Sequence, residues 1–460
     1  MSKSTNTGQV RTRRAPSAPD GGHTPSVLIV GGGYVGLYVA WGLQKALAHT
    51  PMHITLVEPT GYMTYQPLLP EVAGGHVDPR NVTVPLQQAL DRTDVIQGSV
   101  TAIDDSSRDA TVETVTGQQR IVHYDHIVLG LGAVTRTFPT PGLKELGIGF
   151  KTVEEAVYAR DQVLDSVARA AETTDPDARA KALTFLFVGG GYTGVEALAE
   201  LSDLSKRAVA TYPELDQSQL RWVLVEMLDR VAPEVGPTLA RWTLSQLRRR
   251  GIEVKLKTTM KSCVDGHVVL SDGSEFDAGT IVWTAGVKPN PVLDATDIPR
   301  GPKGHVVANN FLQVVADDGT ISGTAWAAGD NAQVLDLTAA TQPAYYPPNA
   351  QNALRQAKML ARNIVASIDG APLEEYRHKS LGTVASYGFG RGAANIRGIR
   401  IKGWPAWLMH RGYHALAMPT ITRKWLIVAG WLTNPLSRSS LSPLVSVMNP
   451  RDAFVRSAGD

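Results

Sequence analysis

Glycines at fixed spacing carry the clearest chemistry in this sequence. Gly31, Gly33 and Gly36 stand in the run Gly-Gly-Gly-Tyr-Val-Gly, and Gly189, Gly191 and Gly194 repeat the register in Gly-Gly-Gly-Tyr-Thr-Gly. In such a turn the first glycine permits a tight bend, the second lets backbone approach a pyrophosphate, and the third lets helix pack closely on strand. The helix that follows offers free N–H groups and the positive end of its dipole to phosphate oxygens. A carboxylate completes each set: Glu58 stands 22 residues after Gly36, and Glu226 stands 32 after Gly194. An acid there accepts hydrogen bonds from ribose hydroxyls.

These residues need a strand before each turn, a helix after it and a second strand ending in the acid. Ser26–Val30 is a short apolar run typical of a buried parallel strand, Leu37 to Leu47 has helical spacing, and His53–Val57 leads into Glu58. Ala182–Val188, Val195–Leu204 and Arg221–Val225 repeat the series, with the longer spacing placed in an extended helix and loop around Ser202 to Gln219. A lone Gly-x-Gly-x-x-Gly also occurs as a structural turn. The whole series in order, twice, predicts an α/β fold with two Rossmann-like dinucleotide-binding domains. The economical pairing is a held FAD at Gly31–Gly36 and an exchanging nicotinamide at Gly189–Gly194. Glu226 repels a 2′-phosphate and so favours NADH over NADPH, while the flanking Arg221 and Arg230 favour the phosphate.

Composition narrows the alternatives. At 460 residues, 43% hydrophobic and 19% charged, the chain builds two or three domains with full cores. A net charge of +2 gives no general pull toward nucleic acid. The single cysteine, Cys263, excludes an internal disulfide framework and a Cys-x-x-Cys redox pair; it reads as a small residue near a strand. No apolar run reaches the 18 or so residues needed to span a bilayer. No set of metal ligands is evident. The first two dozen residues, with Arg11, Arg13 and Arg14 and no acid before Asp20, read as a disordered basic arm. A transit peptide is the competing reading, but the arm lacks apolar residues at helical spacing.

Further segments carry a resemblance. Tyr124-Asp-His-Ile-Val-Leu-Gly130-Leu-Gly132-Ala133 resembles the strand-and-Gly segment that closes the FAD half of two-dinucleotide flavoproteins, with Gly130-Leu-Gly132 where Ala-Thr-Gly is more usual. Thr280 to Asn290, containing Gly286, resembles its counterpart after the nicotinamide half. Ala325-Trp-Ala-Ala-Gly329-Asp330 is similar to the segment whose carboxylate holds the FAD ribityl chain; alone, Asp330 reads equally as a helix N-cap. Relatives that work through reactive cysteine pairs are excluded by the single cysteine. Glu58 to Gly74, with Gln66-Pro67-Leu-Leu, is similar to the segment beside the isoalloxazine in type II NADH dehydrogenases. Tyr346 to Gln356 matches their Ala-Gln-x-Ala-x-x-Gln helix, and Trp404 to Leu436 is similar to their C-terminal membrane-binding region.

The resemblance implies an FAD-dependent NADH:quinone oxidoreductase that pumps no protons. It also implies a peripheral position on the cytoplasmic face of the membrane and a menaquinone or ubiquinone acceptor. It places Gln351 and Gln356 at the quinone pocket, Gln66 near the flavin, and Glu196 close to nicotinamide and quinone. From patterning alone, Ala350 to Gln356 is an Ala-rich core helix started by Pro347 and Pro348, and Glu196 is an acid favoured by the helix dipole. The implied domains are the arm over 1–24, an FAD domain over 25–150 and 305–375, an NAD(H) domain over 151–304, and a membrane-interface or dimer region over 376–460.

That last region holds Trp404, Trp407, Trp425 and Trp431 interleaved with His410, Arg411, His414, Arg423 and Lys424. The stretch Trp404–Leu432 reads as an apolar face in a membrane surface, its cations attracting anionic lipid. A packed helix pair with a homodimer surface is the alternative. Two functional rivals stand beside the quinone reading: a soluble NADH-dependent reductase of an iron–sulfur protein, and an FAD–NADH redox sensor.

Overall fold

The computed structural model describes residues 23–380, 382–433 and 441–443, so the basic arm falls outside it apart from His23 and Thr24. The chain forms two compact units. The first takes the chain up to Met63, Pro85–Val134 and Lys288–Lys379; the second takes Thr64–Val84, Thr135–Val287 and the chain from Ser380.

The first unit is built on a ten-stranded sheet. Ser26–Val30 lies in its middle, parallel to His53–Glu58 on one side and His126–Leu129 on the other. Val27, Leu28, Ile29 and Val30 are all buried, as a strand covered on both faces requires. Beyond His53–Glu58 the sheet continues through Asp94–Asp104, then turns antiparallel through Asp109–Thr114 and Gln119–His123. Ile321–Ala327 pairs in parallel with His126–Leu129, bringing the Gly329-Asp330 segment to the end of the strand that precedes Gly130. The helix Tyr34–Ala46 packs on Ala350–Ile368 at close range: a Cβ on Gly42 would stand 2.4 Å from that of Ala361. Small residues on both faces permit that approach.

The second unit centres on a five-stranded parallel sheet in the order Gly147–Ile148, Thr280–Trp283, Thr184–Val188, Arg221–Glu226, Ile252–Leu256. Phe185 stacks on Trp222 with centroids 4.4 Å apart, and the Trp222 Nε1–H donates to Ser205 Oγ at 3.2 Å. The buried indole therefore leaves no orphaned donor. The helix Tyr192–Val209 and the loop to Arg221 take up the long spacing before Glu226. Three antiparallel strands, Gly382–Ser386, Gly392–Ile396 and Ile399–Lys402, lead into the helices Trp404–Ala417 and Ile421–Thr433. Among the described residues no helix is long and apolar enough to cross a membrane.

The α/β architecture with two Rossmann-like sheets is the one expected. One local expectation is corrected. The helix containing Gln351 starts at Ala350, capped by Asn349, whose side chain accepts from the Asn352 N–H at 2.8 Å. Pro347 and Pro348 therefore precede the cap rather than form the first turn. A side-chain acceptor satisfies an orphaned helical N–H, which proline cannot do.

Candidate functional site

Each Gly-rich turn is a cradle with a defined opening. In the first unit Gly31 has φ +98°, and a Cβ there would meet Gly130 O at 2.6 Å; one on Gly36 would meet Gly31 O at 1.9 Å. Gly33 is different, for nothing lies within 4 Å of the position its Cβ would take. The helix Tyr34–Ala46 has no side-chain cap and no acid in its first turn, so its N-terminal N–H groups are left for an anion. These features fit the pyrophosphate of a dinucleotide.

The second unit repeats the construction. Gly189 has φ +110° and would clash with Thr284 C at 2.6 Å, and a Cβ on Gly194 would stand 2.0 Å from Gly189 O. The helix Tyr192–Val209 likewise has no side-chain cap and no acid in its first turn; Glu196, expected there as an acid favoured by the helix dipole, is the fifth helical residue and lies beyond it. Gly191 is the open member, with only Glu234 Oε1 near, at 3.5 Å from a Cβ. Sequence reading passed over Glu234 because it lies eight residues past Glu226 on a separate loop.

The two terminal acids act alike. Glu58 Oε2 accepts from the Gly32 N–H at 2.7 Å while Oε1 accepts from the Thr60 N–H at 3.2 Å. Glu226 Oε2 accepts from the Gly190 N–H at 2.6 Å while Oε1 accepts from the Leu228 N–H at 2.7 Å. Each carboxylate thus ties its strand end to the middle glycine of the turn, with lone pairs left for ribose hydroxyls. Both arginines that cautioned against NADH have acidic partners: Arg221 pairs with Glu253 at 2.8 Å, and Arg230 with Asp229 at 2.8 Å.

Around Gly329 the first unit is held by amides. Gly329 has φ +76°, and its N–H donates to Gln356 Oε1 at 2.7 Å. Asn331, fully buried, accepts from the Gly132 N–H at 3.1 Å and donates to Leu129 O at 2.9 Å. Asn331 thereby joins the two segments next to Asp330, a role the sequence did not mark because Asn after Gly-Asp reads as an ordinary turn residue. Gln356 is buried and its carbonyl holds this turn, whereas Gln351 is half-buried with His378 Nε2 at 3.4 Å. The two glutamines, grouped together from the sequence, occupy different surroundings. Gln66 lies in the second unit and donates to Lys151 O at 3.1 Å. Gly286, with φ +97°, closes a turn after Thr280–Trp283.

The second unit also contains a buried polar cluster. Glu196 Oε1 accepts from the Ser386 N–H at 2.7 Å and lies 3.5 Å from His410 Nε2. Burial, with the like charges of Glu71, Glu200 and Glu234, pushes the Glu196 carboxyl up to about 8 against the pull of the Ser386 N–H. Glu71 is raised by burial and lowered by Arg411, and its Oε2 accepts from Trp431 Nε1 at 2.5 Å. His410 Nδ1 stands 4.0 Å from Glu71 Oε1. His414 Nδ1 lies 2.9 Å from the Tyr65 hydroxyl, and its ring packs edge-on against His410 at 4.4 Å. Burial lowers both imidazoles, His414 to about 3 and His410 well below the usual value, so both are neutral near pH 7 and the contacts of His410 with the acids are not ion pairs.

This cluster corrects the reading of the C-terminal region. His410 and His414 are buried, and Arg411 lies over Trp407 and Trp431 at 4.3 and 4.9 Å while standing 3.6 Å from Glu71. These residues face inward and are not lipid-seeking cations. Trp407 is also buried; Trp404 and Trp425 are exposed by 61% and 69%. The sequence grouped the tryptophans and cations as one membrane-facing stretch because the acid they surround, Glu71, lies more than three hundred residues earlier.

Comparison with known proteins agrees with this construction. The pyridine nucleotide-disulphide oxidoreductase family profile matches residues 25–357. The type II NADH:quinone oxidoreductase of Staphylococcus aureus is 31% identical over 394 residues, covering 84% of this chain and 93% of that protein. The solved structure of NDH2 from Plasmodium falciparum in complex with NADH superposes with a TM-score of 0.82 at 16% identity, over 91% of this chain and all of the other. A ferredoxin reductase from Rhodopseudomonas palustris shares the fold at a TM-score of 0.59 and 20% identity, over 81% of this chain and 88% of that one. With two dinucleotide cradles of matching geometry and near full-length similarity of this kind, the chain belongs to the pyridine nucleotide-disulphide oxidoreductase family and, within it, to the type II NADH:quinone oxidoreductases.

Proposed function

We propose that this protein is an FAD-dependent NADH:quinone oxidoreductase that works at a membrane surface without pumping protons. The observation that carries the reading is the pair of open cradles at Gly33 and Gly191, each with an uncapped helix N-terminus and an acid tied to the middle glycine. FAD, when bound, would supply the redox chemistry, hydride acceptance from NADH and two-electron transfer to a quinone. The first cradle, with Gly31, Gly33, Gly36, Glu58 and Gly132, holds FAD, and Asp330 holds its ribityl chain beside the Gly329 turn. The second, with Gly189, Gly191, Gly194, Glu226 and Gly286, binds and orients NADH. Gln351 positions the quinone carbonyl, Gln356 holds the Gly329 turn, and Glu196 stores a proton for the acceptor. A buried carboxyl that is largely neutral at pH 7 suits that last task.

The exposed stripes Trp404, Leu408 and Leu416 on one helix and Ile421, Trp425 and Leu432 on the next support attachment to a bilayer surface. A cytoplasmic-face position belongs to the same proposal, since NADH is made and used there. To test the function, the FAD-loaded protein is reduced with NADH without oxygen and mixed with a menaquinone or ubiquinone analogue. Rapid return of flavin absorbance is the expected result. Return with ferricyanide or an iron–sulfur protein but not with quinone would overturn it.

A further inference from the structure

The reaction proposed above consumes one proton from the medium. NADH delivers two electrons and one proton as hydride, whereas quinone gains two electrons and two protons in becoming quinol. Some residue must supply the second proton and be refilled. Glu196 holds one proton, and it is surrounded by buried groups that a single-donor role leaves unexplained.

We propose that His410 links Glu71 to Glu196 as a proton relay, so that Glu71 holds the reserve proton that reloads Glu196 after each turnover. The inference rests on the activity proposed above. Three of its parts are geometric. His410 presents Nε2 to Glu196 Oε1 at 3.5 Å and Nδ1 to Glu71 Oε1 at 4.0 Å, one nitrogen to each acid. His410 Nδ1 and Glu71 Oε1 are also buried atoms with no hydrogen-bond partner among the described residues. Buried polar groups of a purely structural network are normally satisfied. Here the unsatisfied pair is the middle link, and a shift of about 1 Å brings it to hydrogen-bond distance. The remaining atoms of Glu71 are fixed by Trp431 and Arg411, which hold its Oε2 and leave Oε1 toward the imidazole.

The transfer balances without a charged imidazole. Glu71 gives its proton to His410 Nδ1 as Nε2–H gives its proton to the Glu196 carboxylate; the ring resets by releasing the Nδ1 proton and taking one up at Nε2, one lost for one gained, so that the net uptake per cycle is the single proton that refills Glu71. Passage through a neutral ring agrees with the low basicity that burial, His414 and Arg411 impose on His410. The side from which Glu71 would be refilled is that of His76 and Glu200, whose charges act on it; these two lie 3.3 Å apart, His76 being 16% exposed where Glu200 and Glu71 are 3% and 2%. The groups facing this chain are few. Glu71, Glu200, Glu234 and the Ser386 N–H act on Glu196, Arg411, Glu200, His76 and Trp431 act on Glu71, and Tyr65 contacts His414. His410 and Glu71 are positioning residues that act through Glu196.

The test uses the full-length FAD-loaded protein and two readouts. Infrared titration without NADH or quinone identifies the Glu196 and Glu71 carboxyl bands as those lost in Glu196→Gln and Glu71→Gln. The expected result is a Glu196 midpoint lowered by about one pH unit in Glu71→Gln, where a like charge is lost, and little moved in His410→Gln, where a neutral ring is replaced. In steady-state turnover with a short-chain ubiquinone, where Glu196 must be reloaded each cycle, both variants should slow quinol formation at least about fivefold, steeply so at alkaline pH, with the NADH half-reaction measured alone unchanged. An unchanged Glu196 midpoint in Glu71→Gln overturns the coupling of the two acids, and unchanged steady-state quinol formation in either variant overturns the relay. Glu71→Gln preserves shape and so keeps the test sound should His410→Gln fold poorly. If the unaltered protein is not reoxidised by quinone, the proposed activity fails, whereas the infrared arm still decides the coupling of the two acids.

Discussion

The side-chain oxygen of Gln356 accepts a hydrogen bond from the Gly329 N–H at 2.7 Å, fixing a left-handed turn from inside the protein. Because Gln356 is buried, no water replaces it. Gln356→Leu should leave that N–H unsatisfied and destabilise the fold by about 1–3 kcal/mol. It should also loosen flavin. Denaturant unfolding of the apoprotein and flavin loss on dilution measure the two effects, and a fully retained flavin would remove the Gly329 turn from the FAD site.

Glu226 accepts two backbone N–H groups, so truncation and loss of charge are separate experiments. Glu226→Ala should cost about 1–3 kcal/mol for each orphaned N–H. Glu226→Gln keeps the shape and one acceptor while removing the charge. Its ratio of kcat/KM for NADH over NADPH should fall about tenfold, equivalent to about 1.4 kcal/mol. An unchanged ratio moves the discrimination to other residues.

The raised carboxyl of Glu196 links stability to pH. Its folded value of about 8 exceeds the ordinary 4.5, so the folded state keeps a proton that the unfolded chain releases between them. The contribution to stability is full below the lower value and declines as pH rises through about 8. Glu196→Gln should flatten that decline. Thermal midpoints measured from pH 5 to pH 9 in both proteins provide the check, and parallel curves would contradict the raised value.

Attachment to lipid predicts an effect confined to the membrane. Trp404 and Trp425 are largely exposed, so replacing both with Ser should leave the core intact. Binding to anionic vesicles should drop about tenfold or more, on the order of 1 kcal/mol for each side chain. NADH oxidation with ferricyanide should stay unchanged. Unaltered sedimentation with vesicles would point to a different surface.

The cradles were legible because their requirements are local. A strand, three glycines, a helix and an acid follow one another along the chain, and backbone sterics allow few other arrangements for Gly31, Gly36, Gly189 and Gly194. The same locality let Pro347 and Pro348 mislead, since Asn349 two positions on makes the better cap. What the sequence determined by itself was the α/β class, the two dinucleotide turns and the absence of a cysteine pair. Tertiary structure alone decided that Gln356 faces Gly329, that Asn331 joins Gly132 to Leu129, and that His410, Arg411, His414 and Trp431 gather around Glu71 and Glu196. Those partners are separated by tens to hundreds of residues. Their charge states depend on burial, which belongs to the folded arrangement and not to any residue's neighbours in the chain.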